Sequence, residues 1–158
     1  MKAASVQELK QELKQLPPAQ LVELCLRLSR FKKENKELLT YLLFEAHQEA
    51  DFVKGIKEEI DDNFSEINRS HLYFAKKSLR KIVRIINKYC RYSNVTETEL
   101  ELRLYFCTTL KNSGIPINQN PVIKNLYNTQ IKKSEQLIES LHEDLQYEFR
   151  REFKKLNA

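Results

Sequence analysis

Two glycines and four prolines in 158 residues leave too few reversal points for a sheet protein, whose many tight turns depend on those residues. Long uncharged runs are also missing. No stretch approaches the roughly 18 to 20 apolar residues that a membrane-spanning helix needs, so no membrane role is expected. Residues 1–15 alternate Leu with Lys, Gln and Glu and lack the apolar centre of a secretory signal, which makes the expected location cytoplasmic. The three cysteines, Cys25, Cys90 and Cys107, are odd in number and far apart, with no Cys-x-x-Cys pair, so neither a zinc site nor a redox pair is indicated. Each lies among Leu, Ile, Tyr or Phe at a core-facing spacing. Three buried free thiols in a reducing compartment are therefore expected.

Signatures of nucleophilic catalysis are absent too. There is no Gly-x-Ser-x-Gly elbow, no glycine-rich phosphate loop and no cysteine near a plausible histidine partner. The expectation is a chain without enzymatic activity, cofactor or metal. What is present is a globular balance, 41% apolar and 31% charged. A chain this long buries about 68 to 70% of its unfolded surface, and a single helical domain over residues 1–158 is expected.

The apolar spacing predicts helices almost throughout. Val6, Leu9, Leu13 and Leu16 recur at threes and fours behind a capping box of Ser5 and Glu8. Pro17 and Pro18 end that helix and open the next, which carries Leu21, Leu24, Cys25, Leu28 and Phe31. After a polar turn over residues 32–36, the segment from Leu38 to Ala46 is apolar nearly all round and is expected to be the most buried helix. Phe52, Val53, Ile56, Ile60, Phe64 and Ile67 define another helix, and residues 68–70 a break. From Ser70 to Arg91, Leu72, Ala75, Leu79, Ile82, Val83, Ile86 and Cys90 form an unbroken stripe.

Residues 99–104 alternate as a strand would, but Leu100, Leu104, Cys107 and Leu110 extend a helical spacing, with Thr96 and Glu99 as its expected capping box. Residues 113–120 form the long loop, and Asn120 with Pro121 caps the last helix. That helix is expected to run unbroken to Leu156, about 54 Å at 1.5 Å per residue. The fold class is all-α, six to seven antiparallel helices in a short α-α superhelix or irregular bundle with a long C-terminal helix.

A faint repeat near sixty residues relates Leu26-Arg27-Leu28 with Arg30-Phe31 to Val83-Arg84-Ile85 with Lys88-Tyr89. Residues 16–46 and 70–89 together resemble an uncharacterised family of small all-helical bacterial proteins. At the level of architecture, helix pairs of this length are similar to HEAT-type and related α-solenoid hairpins. That resemblance implies binding to other macromolecules rather than chemistry.

The basic helix is the most distinctive feature. Lys76, Lys77, Arg80, Lys81, Arg84, Lys88 and Arg91 occur with no acidic residue between Arg69 and Tyr92. All but Lys76 fall in an arc of about 100° opposite the apolar stripe, and Tyr73 lies in the same arc. The segment before it is acidic, with Glu45, Glu49, Asp51, Glu58, Glu59, Asp61, Asp62 and Glu66. A solvated or self-paired face is the simplest reading. An acidic protein partner, nucleic acid and an anionic membrane surface follow it in that order. Glu139-x-x-His142 has metal-ligand spacing but no second copy, so no metal site is assigned. On the last helix, Leu145, Phe149, Phe153 and Leu156, with Tyr147 nearby, would be bare unless covered, which makes them self-association candidates. The expected role is a protein-interaction or scaffold module with a protein partner, a homodimer being one form of it. The alternative is a nucleic-acid-associated protein using helix 70–91.

Overall fold

A computed structural model describes residues 1–157. Among these there are no strands and there are eight α-helices: α1 Val6–Gln15, α2 Pro18–Phe31, α3 Lys33–Thr40, α4 Glu49–Ser65, α5 Leu72–Ser93, α6 Thr96–Asn112, α7 Pro121–Ser140 and α8 Glu143–Asn157. The all-α class is as expected, and residues 99–104 are helical. The helix number is eight rather than six to seven, and no described helix is long and apolar enough to cross a membrane. Two compact units are distinct, Met1–Phe44 and the remainder from Glu45.

The first unit holds α1, α2 and α3. Its capping box forms as the sequence requires: the Ser5 hydroxyl accepts from the Glu8 backbone N–H at 3.3 Å, and the Ser5 N–H donates to the Glu8 carboxylate at 2.7 Å. The Ser5 hydroxyl also donates to that carboxylate at 2.7 Å, and this bond, together with the one from the Ser5 N–H, holds the Glu8 carboxyl below its ordinary value by favouring the charged form. None of the three helices contains a buried residue. The expectation for residues 38–46 is therefore corrected. Tyr41 is buried, but Leu42, Leu43 and Phe44 are 56, 60 and 67% exposed, and residues 41–45 widen into a π-helical turn. A unit of 44 residues lies close to the size of about 40 residues below which a chain seldom builds a core of its own.

The second unit has one core. Ile60, Leu79, Ile82, Ile86, Leu100, Leu102, Phe106 and Leu110 are fully buried, drawn from α4, α5 and α6. The most buried helix is α6, apolar on nearly every side, which is why its residues alternate without a clear amphipathic face. Thr96 does not cap it. Val95 occupies that position without a side-chain bond, and Glu99 turns instead to Arg103, four residues on.

At the other end of α5, Asn94 closes the helix in the left-handed conformation, φ 54°, which asparagine tolerates better than most residues. Glu49 ties this corner together, accepting from Ser93 and from Thr98 Oγ1 at 2.6 Å.

The expected continuous C-terminal helix is two helices. Leu141 is extended, at ψ 163°, and ends α7. The break satisfies its own backbone: Gln146 Nε2 donates to the Leu141 carbonyl at 2.8 Å and the Glu139 carbonyl at 3.3 Å, while Glu143 and Asp144 occupy the first turn of α8. α8 then packs against both α6 and α7.

Candidate functional site

α5 carries its apolar stripe inward, with Ala75, Leu79, Ile82, Ile86 and Cys90 buried. Helical geometry then turns the basic arc outward. Lys77, Arg80, Lys81, Arg84 and Arg91 are exposed and Lys88 is half-buried over the Tyr89 ring, 4.5 Å from its centroid. Lys77, Arg80, Lys81 and Arg84 line an open groove of about 720 Å³ whose apolar lining includes Val83 and, from α7, Leu126. Lys88 and Arg91 belong to the same arc but do not line the groove.

The acidic segment does not neutralise these groove residues. On α4, Glu49 bonds Ser93 and Thr98, and Glu59 accepts from the Tyr89 hydroxyl at 2.7 Å. Asp61 accepts from the Tyr105 hydroxyl at 2.6 Å. Lys57, one of two lysines on α4, takes Glu101 at 2.6 Å and lies 5.1 Å from the Tyr105 ring centroid. Among the described residues, none of Lys77, Arg80, Lys81 and Arg84 makes an ion pair. Four cations in solvent at the rim of a groove are a standing electrostatic attraction for a polyanion.

An aromatic cluster sits at the N-terminal end of the same helix. Tyr73 is 54% and Phe74 49% exposed, their rings meeting edge-on at 5.5 Å, and His71 adds a third ring 6.1 Å from Phe74. Lys76 Nζ and Lys77 Nζ lie 4.6 and 5.3 Å from the Tyr73 ring centroid. Tyr73 is legible in the sequence as part of the basic arc, whereas Phe74 and Leu126 join this site in the structure. Phe74 was detectable, because its angular position falls outside the apolar stripe and about 20° past the edge of the basic arc. Leu126 was not, since only the packing of α7 against α5 brings it there.

The proposed self-association stripe lies in a different setting from the one foreseen. Phe153 and Leu156 are buried and Leu145 and Phe149 half-buried, because the break at Leu141 returns α8 onto the chain's own α6 and α7. Of that helix only Tyr147, 76% exposed, stands among the exposed large apolar side chains.

Most of the exposed large apolar side chains lie elsewhere. Among the described residues, twelve of the fifteen exposed large hydrophobic side chains fall in the first 44 positions, including Val6, Leu9, Leu13, Leu28 and Phe31. Between α2 and the segment after it, Leu28, Leu38, Leu39 and Leu42 line an apolar cleft of about 300 Å³. Cys25 opens into this cleft and is exposed, which corrects the expectation of three buried thiols. Cys90 and Cys107 are buried, and desolvation pushes each thiol up to about 12.

Thiol titration of the native protein is accordingly expected to find one fast-reacting cysteine, Cys25, and the other two only after unfolding. Rapid modification of two or three thiols in the folded state would contradict this burial pattern.

No group of three or more His, Cys, Asp or Glu side chains among the described residues is placed to hold a metal ion. His142 is exposed beside Asp144 at 3.6 Å, and Glu139 is exposed on the preceding helix. Compared with protein-family models, curated proteins and solved structures, the chain matches none.

Proposed function

We propose that this chain is a non-enzymatic interaction module that works as a pair, each copy covering the apolar face of the other's N-terminal unit. The observation that carries the reading is the concentration of exposed apolar side chains in residues 1–44, where no helix contains a buried residue.

The choice of a second copy rests on charge. Around α1, the stripe of Val6, Leu9 and Leu13 has Lys10 and Lys14 along one edge and Glu8 and Glu12 along the other. Two such helices packed in parallel set the basic edge of each against the acidic edge of its partner, whereas antiparallel packing opposes like with like. Exposed pairs of this kind contribute only about 0 to 1 kcal/mol each, so they set orientation and the apolar stripe supplies affinity.

Fully burying an exposed Val, Leu or Phe side chain contributes about 1.5 to 3 kcal/mol, and with Val6 83%, Leu9 51% and Leu13 42% exposed, α1 offers roughly 3 to 5 kcal/mol. Association itself costs about 4 to 15 kcal/mol, which over most of that range exceeds what α1 offers, so more apolar surface is needed. Leu24, Leu28 and Phe31 of α2 are exposed and available to extend the interface.

Sedimentation equilibrium across a concentration series is expected to give a dimer mass for the native chain. Leu9→Glu/Leu13→Glu should be monomeric at the same concentrations, with the helical circular-dichroism signal largely kept. Lys10→Glu/Lys14→Glu should weaken pairing by making both edges acidic. A native chain that stays monomeric throughout, or a Leu9→Glu/Leu13→Glu variant that still dimerises, overturns the reading.

A further inference from the structure

We infer that the groove between α5 and α7 is a binding site for single-stranded nucleic acid, with its phosphates along Lys77, Arg80, Lys81 and Arg84 and its bases stacked at Tyr73 and Phe74. This site belongs to the second unit alone and does not depend on pairing through residues 1–44.

The cations come first. Lys77, Arg80 or Lys81, and Arg84 follow one another at about one helical turn, some 5.4 Å, close to one phosphate-to-phosphate step of an extended strand. They face solvent without internal ion pairs, so binding a phosphate requires no broken salt bridge. Arginine at two of these positions presents a planar donor fork that matches a phosphate.

The aromatics decide between polyanions. An acidic polypeptide would use the cations and leave Tyr73 and Phe74 in water, half-exposed and unused. A duplex buries its bases and offers the same side chains nothing to stack on. A single strand presents both a charged backbone and free π-faces, and the structure places aromatic rings directly beside the first groove lysine, with Lys77 Nζ 5.3 Å from the Tyr73 centroid. Val83 and Leu126 give the groove an apolar lining, against which a sugar or base edge loses little.

Fluorescence anisotropy of a labelled oligothymidylate with the full chain, at low and physiological salt, tests the assignment. Binding is expected to weaken with salt at a slope of about −2 to −3 in log K against log salt, for three to four phosphates on a single strand. Arg80→Glu/Arg84→Glu should weaken it by more than about a hundred-fold at low salt. Tyr73→Ala/Phe74→Ala should weaken it by at least about ten-fold while leaving the salt slope unchanged.

Polyglutamate, a duplex of the same sequence and vesicles rich in phosphatidylserine serve as competitors, each expected to displace the strand poorly. The inference fails if no binding occurs at low salt, or if charge reversal has no effect. It fails equally if the aromatic variant binds as tightly as the native chain, or if polyglutamate, duplex or vesicles compete as well as unlabelled single strand. Unchanged circular dichroism of both variants separates loss of the site from loss of the fold.

Discussion

Replacing Arg103 by alanine is expected to destabilise the protein by about 3 to 5 kcal/mol, as removal of one partner from a buried charged pair does. Arg103 is 3% exposed, yet its guanidinium joins three helices. Its Nε donates to the Glu99 carboxylate of α6 at 2.8 Å, one terminal nitrogen donates to Gln130 of α7, and the other to Asn87 of α5 at 3.0 Å and to Glu99. No buried side-chain nitrogen or oxygen among the described residues lacks a partner, so deletion of the fork leaves several acceptors unpaired at once.

The Glu99 side chain keeps 30% exposure and some hydration, which places the expected cost toward the lower end of that range. Arg103→Lys should recover only part of it, because an ammonium cannot reach the three positions the planar fork serves. Replacing the network together, as Arg103→Met/Glu99→Met/Gln130→Leu, should cost less than Arg103→Ala alone. Urea unfolding of these variants checks all three statements; a loss below about 1 kcal/mol for Arg103→Ala would show that the network does not hold the three helices.

A second large effect is expected at alkaline pH. Cys90 and Cys107 are held up at about 12, from an ordinary value of 9.0, chiefly by desolvation. Their folded-state values lie above the unfolded ones, so their contribution is complete below pH 9 and is lost as pH rises toward 12. In that window the unfolded chain has released protons that the native chain still holds. Stability should therefore fall by about 1.4 kcal/mol per pH unit for each thiol, beyond the general decline from other groups.

The Cys90→Ala/Cys107→Ala variant should be less stable at neutral pH, since it leaves two cavities, but its curve should be flatter above pH 9. Denaturant midpoints at neutral pH and at pH 10.5 measure the difference directly. Parallel curves for the native chain and the variant would remove the thiols from the account.

Residues 99–104 are helical although they alternate as a strand would, and their degree of burial has no local signature. On a helix buried on nearly every side, apolar residues need not keep to one face, so periodicity loses its meaning there. Nothing local marks Arg103 in that stretch as buried, because two of its three partners, Asn87 and Gln130, lie on other helices. The break at Leu141 was similarly quiet: neither proline nor glycine marks it, and its carbonyls are satisfied by Gln146 from beyond the gap. The basic arc of α5, by contrast, could be drawn from residue spacing alone.

The sequence by itself determined the helical class, the N-terminal capping box, the inward stripe of α5 and the outward direction of its cations. All of these depend on neighbours within a turn or two, where backbone geometry leaves little choice. Only the tertiary structure decided which apolar faces are covered: α6 and α7 shield Phe153 and Leu156, while Leu42, Leu43 and Phe44 stay exposed despite an equally apolar local sequence. Burial belongs to two surfaces in contact, and the second surface is set by residues far away along the chain.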